Sequence, residues 1–474
     1  MKNFLIIVVS AIVAVFPAWD QGRCEQLIQE PVAMQISSTV SDGSYSIPDI
    51  IAACRKSGVK IIILGERDLM RWEYGLWPLR NLLKRRVEEG SLLSFGVGRY
   101  LDTVRELQAA NTDMLIIPGV ESAPYYYWSG RPLDGTLKIN DWHRHILAAG
   151  FPQAKDYENI PVAGNRKGLA ASPGPLSLAP YLGILLGLLI ACRRTSFKIR
   201  GAGAAAAFFC ILIAVNNFPF SQKYDQYSGD IGILPYKNYI AYASQHGAVT
   251  FWTHPEAVNV ERDQNVAIET KEYADILSRI DGYTGFFVFY EGYQKVGVPH
   301  GIWDTILTDY CKGRRRSPVW AAGGLAVDKE GLERNLKDLR TVVLLNRVDR
   351  DEVIGSLREG RMYVSRGKDA PGFMLDEFTL SDNGRQAGMG EELKGSSRPT
   401  VRVAGHILDG QERSFQIKLI RLGGETLFFD VQGPSFSITY RDEKAAEGKG
   451  YYRAEIDTSA LQVVTNPVFF GGSL

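Results

Sequence analysis

Six histidines are spread over this 474-residue chain, and two stand close together, His143 and His145. A spacing of two puts both side chains on one face of a strand. Such a pair suits a metal ion, with a half-exposed strand histidine as the plainer alternative. His246, His300 and His406 read as ordinary surface or loop histidines. Glu121 stands where a buried apolar strand ends. An unpaired buried carboxylate is costly, so Glu121 must bind a cation or pair with something. Glu66 and Asp68 flank Arg67 and read as an acidic rim or as solvated loop carboxylates. Tyr125-Tyr126-Tyr127-Trp128 follows Glu121 in a loop. Aromatics there could stack on a sugar or a base, pack within the loop, or meet a membrane interface.

The elements that must position these residues alternate between two periods. Ala33–Ser37, Lys60–Leu64, Met114–Ile117, Ala248–Trp252, Gly285–Tyr290, Val319–Ala322 and Thr341–Leu345 read as strands. Pro48–Ser57, Tyr100–Ala110, Asn238–His246, Lys271–Ile280, Gly331–Leu339 and Asp351–Glu359 read as helices. About seven βα units predict an α/β barrel. After Gly372 short alternating stretches separated by Gly, Asp, Asn and Pro predict an all-β sandwich. No internal repeat or low-complexity tract is present.

Three apolar runs bear on location. Phe4–Ala18 follows Lys2 and reads as a signal peptide or an uncleaved signal anchor. Leu176–Cys192 and Gly201–Phe218 carry no charged residue and are at the short end of what spans a bilayer. Arg193, Arg194, Lys198 and Arg200 lie between them, a positive-inside signal. The expected topology places Gln21–Ser172 and Ser221–Leu474 outside the cytoplasm and Arg193–Arg200 inside. Two buried core helices are the alternative. The spans hold no ionisable residue, which counts against a transporter. Lys+Arg 54 balances Asp+Glu 53, and no basic stripe appears, which argues against a nucleic-acid partner. The five cysteines form no C-x-x-C pair, so there is no zinc-ribbon or thioredoxin signal.

Several motifs together resemble the PHP (polymerase and histidinol phosphatase) superfamily, above all its membrane-associated bacterial members with a C-terminal sandwich. Gln35-Ile36-Ser37-Ser38-Thr39-Val40-Ser41-Asp42-Gly43 matches the opening H-x-H-T-x-x-S-D-G. Gly65-Glu66-Arg67 matches a strand ending T-D-H, and Pro118-Gly119-Val120-Glu121 matches P-G-x-E intact. His145-Ile146-Leu147 fits a His that opens a strand, and His254-Pro255 fits a His-Pro after one. Gly323-Gly324-Leu325-Ala326-Val327 falls on G-S-D-A-H. The resemblance covers roughly residues 31–366. It implies a distorted (βα)7 barrel with two or three metals that activate water against phosphoesters.

Carried over residue by residue, the implied ligand positions are Gln35, Ser37, Arg67, Glu121, His145, His254, Leu325 and Val327. Only Glu121, His145 and His254 keep ligand chemistry. Gln35 offers one carbonyl oxygen, Ser37 is a weak ligand, and Leu325 and Val327 offer nothing. Arg67 brings a fixed positive charge that repels a cation. Glu66, Asp68 and His143 stand as a possible rim. The expected protein is therefore membrane-associated and extracytoplasmic, catalytically degenerate, with a binding or scaffolding role and no cofactor. The alternative is a metal-dependent phosphoesterase with a single zinc or manganese. The expected division is residues 1–20 as signal anchor or signal peptide, 31–172 and 221–366 as two parts of the barrel, 176–218 as a transmembrane hairpin, and 372–474 as sandwich. The sharpest expectation is that the Arg67 guanidinium takes the space of a lost metal and pairs with Glu121. Otherwise Arg67 turns to solvent and Glu121 meets a backbone amide or a histidine.

Overall fold

Runs of β-branched residues bounded by Gly and Pro set the strands of the first three quarters of the chain. A computed structural model describes residues 27–132, 134–170, 178–194, 196–217, 222–263, 266–289, 291–325, 331–368, 372–443 and 448–471. In chain order the strands are β1 (Ile28–Ile36), β2 (Ile61–Leu64), β3 (Glu66–Arg67), β4 (Arg71–Gly75), β5 (Lys84–Glu88), β6 (Leu115–Ile117), β7 (Gly119–Ser122), β8 (Tyr127–Ser129), β9 (Lys138–Asn140) and β10 (Ile146–Ala149). β11 (Val249–Trp252), β12 (Asn259–Asp263), β13 (Val266–Thr270), β14 (Gly285–Phe289), β15 (Trp320–Gly323), β16 (Leu339–Leu345) and β17 (Met362–Arg366) follow. β1, β2 and β6 pair in parallel, and all four residues of Ile61–Leu64 are buried, as a strand covered on both faces requires. β3 and β7 take over after Gly65 and Pro118 and enter a second sheet, ordered β15-β14-β11-β10-β7-β3. Past β15, the N–H of Leu325 donates to the Met34 carbonyl of β1 at 2.9 Å, so the far edge of the second sheet returns to the first strand.

Two local features fix these lines. The helix Ile47–Lys56 starts at Ser46, whose side chain accepts from the Asp49 N–H while Asp49 answers the Ser46 N–H. This capping box satisfies two orphan donors and aims Ile47, Ile50, Ile51 and Cys54 into the core. At Gly119 a Cβ would stand 2.2 Å from the Leu64 carbonyl oxygen, so the crossing of β7 over the end of β2 needs glycine.

The expectation of uniform βα alternation is corrected at β10. That strand runs antiparallel to both β7 and β11. The segment Lys271–Ile280 is helical only over Ile276–Arg279. His143 and His145 do not share a strand face, because β10 begins at Ile146. Pattern reading also passed over the helix Ile302–Cys311, the β4–β5 hairpin and the sheet ordered β12-β13-β9-β8. These strands are three to five residues long, too short for a clear period.

The C-terminal strands are β18 (Phe373–Asp382), β19 (Arg385–Ala387), β20 (Glu392–Lys394), β21 (Thr400–Ile407), β22 (Arg413–Arg421), β23 (Thr426–Gly433), β24 (Ser435–Arg441), β25 (Gly450–Asp457), β26 (Gln462–Thr465) and β27 (Val468–Gly471). One sheet is ordered β19-β18-β21-β24. It shares a buried apolar cluster (Phe378, Val403, Ile417, Phe436, Ile456) with strands of the other sheet. That other sheet does not stop at the expected boundary near residue 370: β26 pairs antiparallel with β17 over Tyr363–Arg366. A buried ion network reinforces the join. Arg453 of β25 grips both oxygens of Asp304 at 2.8 Å and Glu455 at 2.8 Å, with its guanidinium over the Trp303 ring.

The helices Ala179–Cys192 and Phe197–Asn217 pack on each other through small residues. A Cβ on Gly187 would lie 2.7 Å from the Gly203 carbonyl, the close approach that small residues permit between apolar helices. Leu182, Leu185, Leu186, Phe208 and Phe209 face outward, exposed. Phe197–Asn217 is long and apolar enough to cross a membrane, about 31 Å at 1.5 Å per residue. Ala179–Cys192 is shorter. The expected signal segment, residues 1–20, lies outside the described residues, as does Val327.

Candidate functional site

Each strand end delivers one side chain to a common point. Arg67 closes β3, and Glu121 is the third residue of β7; the two are register partners. His254 follows β11. His145 precedes β10, and the reversal of β10 is what brings its start to the same end as the finishes of β3, β7 and β11. Gln35 arrives by a bulge: the β1–β2 register slips between Met34 and Ile36. Gln35 has φ 62° and His254 φ 30°. Non-glycine residues in that region carry about 1–3 kcal/mol of strain each and cluster at functional sites.

Glu121 Oε1 is the hub. It pairs with Arg67 Nη1 at 2.8 Å and accepts from Gln35 Nε2 and Thr253 Oγ1, each at 3.1 Å. Arg67 Nε donates to Asp42 Oδ2 at 3.0 Å. Arg67 Nη1 also reaches His145 Nδ1 at 2.9 Å, and His254 Nε2 stands 3.3 Å from the same nitrogen. A guanidinium only donates, so Nδ1 of His145 accepts and the ring proton resides on Nε2. Burial alone would raise the Glu121 carboxyl, but the Arg67 charge outweighs it and holds it well below the usual range. Burial and then the Arg67 charge hold His145 well below its usual value, hence neutral.

The expected pairing of Arg67 with Glu121 is therefore present. Glu121, His145 and His254 offer donor atoms that all lie within 4.8 Å of one another, so the three can reach one cation. The cationic place among them is taken by Arg67 Nη1. Ser37 lines the same cavity, but Leu325 does not: it is buried in the main core. Glu66 and Asp68 do not form a rim. Glu66 is fully buried, accepting from the Ser38 and Ser41 hydroxyls at 2.6 Å each. Gly43 shapes the loop that carries these serines: a Cβ there would stand 2.1 Å from the Ser37 carbonyl oxygen. Burial, against hydrogen bonds from Ser122 and Leu69, pushes Asp68 up to about 7. His143 does stand at the rim, bonded through Nε2 to Glu261 at 2.7 Å.

The cluster forms part of the wall of a cavity of about 540 Å³, the size of a small-molecule site. Its aromatic wall is Trp72 and Trp142. Of the readings offered for Tyr125–Trp128, packing within the protein is the one found. Tyr125, Tyr126 and Trp128 are buried, the latter two packed edge-on against Trp142 and Trp72. Sequence reasoning passed over Asp42, Thr253 and Trp72 as site residues. Asp42 lay inside the quoted Ser41-Asp42-Gly43 motif and Thr253 beside His254; Trp72 sits in the short hairpin and gave no signal.

No protein-family profile matches the chain, and no curated protein does. Among solved structures the chain is similar to a two-domain protein of Bacteroides vulgatus ATCC 8482 containing a predicted PHP-like metal-dependent phosphoesterase. Identity is 12% over 92% of this chain and 96% of that one, with a TM-score of 0.36. It is also similar to a protein of Bifidobacterium adolescentis ATCC 15703 assigned as a metal-dependent phosphoesterase, at 14% identity over 69% of this chain and 95% of that one, with a TM-score of 0.30.

Proposed function

We propose that this chain is a membrane-tethered binding protein on a divergent PHP-type barrel, with an internal ion pair in place of the hydrolytic metal centre. One observation carries the reading: Arg67 Nη1 stands 2.8 Å from Glu121 Oε1 and 2.9 Å from His145 Nδ1. An Arg is charged at every accessible pH, so it neutralises Glu121 permanently and repels a metal ion. The residues thus do not fit a multinuclear centre, and no hydrolytic step follows from them. The strained Gln35 and His254, the 540 Å³ cavity and its tryptophan wall support retention of the pocket for binding. The apolar helices support a tether, with the body and the C-terminal strands on the side opposite Arg193–Arg200.

A second reading rests on the reach of Glu121, His145 and His254 to one point. A single zinc or manganese held there would supply Lewis-acid activation of water, but only with Arg67 swung aside. Metal analysis of the purified protein after incubation with zinc or manganese separates the two. We expect less than one-tenth of an equivalent bound, and binding to appear in Arg67→Ala. A full equivalent in the unaltered protein, lost in His254→Ala and accompanied by chelator-sensitive phosphoesterase activity, would overturn the first reading.

A further inference from the structure

The β4–β5 hairpin ends in a tip, residues 76–83, that exposes four large apolar side chains. Leu76, Trp77, Leu82 and Leu83 are 57, 79, 37 and 55% exposed. Apolar area left in water costs about 25 cal/mol per Å², and a contiguous patch of this kind marks a contact surface. The placement of the tip says what covers it. Asn81 bonds twice to Asn216 in the last turn of the helix Phe197–Asn217: its N–H donates to Oδ1 at 2.8 Å and its side-chain amide to the carbonyl at 3.0 Å. The arms of the hairpin are held by the chain that leaves this helix. The Gly75 N–H donates to the Tyr227 hydroxyl at 2.5 Å, and the Arg80 guanidinium lies 3.9 Å above the Tyr227 ring. The tip is thus fixed level with the end of the apolar helix, the depth at which a spanning segment leaves the hydrocarbon and at which Trp is favoured. The nearby cations have partners within the protein: Lys84 and Arg86 pair with Glu73, Arg80 lies over the Tyr227 ring and 3.8 Å from Asp225, and the Arg85 guanidinium stands 6.0 Å from the Trp72 ring.

We propose that residues 76–83 are a second membrane contact, lying in the interfacial layer of the bilayer with Leu76, Trp77, Leu82 and Leu83 among the headgroups and upper acyl chains. The proposal rests on the reading of Phe197–Asn217 as a membrane span. A helical hairpin alone lets the body swivel, and a second point of contact stops it. The two faces of the β4–β5 wall alternate. Trp72 and Val87 line the cavity described above, while Arg71, Arg86 and Glu88 line a separate hollow. The five-residue arms span roughly 17 Å, so the tip holds the cavity at a fixed height over the membrane. The contact is apolar and does not call for anionic lipid.

The test uses the full chain in phosphatidylcholine vesicles, with the photo-crosslinking residue benzoylphenylalanine placed in turn at positions 77, 82, 208 and 428. Lipid adducts are read by mass spectrometry. Phe208 lies on the apolar helix and Phe428 on β23, both exposed. We expect lipid adducts from 77, 82 and 208 and none from 428, with yields unchanged when phosphatidylglycerol is added. Adducts from 208 but not from 77 or 82 would overturn the tip contact and leave the span standing. Adducts from neither the tip nor 208 would overturn both. Adducts from the tip without 208 would support the contact and remove the span. Cross-links from 77 to a second copy of the chain in place of lipid, or a yield that depends on phosphatidylglycerol, would also sink the proposal.

Discussion

Arg67 and Glu121 are largely withdrawn from water at the cavity wall: their side chains are 18% and 3% exposed. Desolvating both groups offsets much of their attraction, but leaving one alone costs roughly 3–5 kcal/mol. Arg67→Met and Glu121→Gln should each destabilise the protein by about that amount, and the double variant by clearly less than the sum. Denaturant unfolding in detergent reads the coupling, and additivity would show that the pair is not a unit. Asp68 gives a pH signature of the less common sign. Its folded value is about 7 against about 4 in an unfolded chain. Across that interval the unfolded chain has released the proton and the folded chain still holds it. Stability is therefore fully present below about pH 4 and falls as pH rises towards 7, by up to about 1.4 kcal/mol per pH unit. Asp68→Asn should flatten that slope in thermal unfolding across the interval, and an unchanged slope would show that another group sets it.

At the scale of elements, the site depends on three departures from regular strand pairing: the bulge at Gln35, the crossing at Gly119 and the reversal of β10. The crossing can be tested most directly. In Gly119→Ala the methyl group meets backbone, the Leu64 carbonyl at 2.2 Å, rather than a movable side chain. Overpacking of this kind costs about 1–3 kcal/mol or more. The variant should unfold at lower temperature in scanning calorimetry, and an unchanged melting temperature would mean that β2 and β7 can separate there without loss. The reversal of β10 has a chemical purpose visible in the register: Ile146 faces Ser122 on one side and Trp252 on the other. That pairing seats His145 between the ends of β7 and β11.

At the scale of the whole molecule, the C-terminal strands and the α/β body share one sheet through β17 and β26, and Arg453 ties β25 to the helix Ile302–Cys311. Arg453 is fully buried, with Asp304, Glu455, Tyr451 and Tyr293 closing the network around it. Burial would raise the Asp304 carboxyl, but Arg453 outweighs it and holds it low. Arg453→Met leaves two buried carboxylates without their cation and should cost roughly 3–5 kcal/mol. The unaltered protein should lose both parts in one calorimetric transition, and the variant should melt well below it. Two separated transitions in the unaltered protein would show that the shared sheet does not couple them.

Much was legible in local sequence. The buried strand Ile61–Leu64, the helix read at Pro48–Ser57 and the alternating C-terminal strands each declare themselves within a dozen residues, because hydrophobic period is short-range. The candidate residues Glu121, His145, His254, Arg67 and Gln35 were visible through the motif resemblance, which marks their places along the chain. What they do to one another was not visible, because it depends on contacts between residues far apart in the chain. Gln35 and Glu121 are 86 positions apart, Thr253 and Glu121 132, and Trp72 and Asp263 191. The sequence placed Glu66 and Asp68 beside a charged Arg at a strand end, which looks solvated, but the serine loop over Glu66 and the body around Asp68 bury both. It placed four aromatics after Glu121, but packing turned Tyr125, Tyr126 and Trp128 inward and left Trp72 and Trp142 to line the cavity. A side chain's type and its place along the chain determine which chemistry is available to it. The direction of the neighbouring strand and the loops that fold over it decide whether that side chain meets solvent, a ligand or another charge.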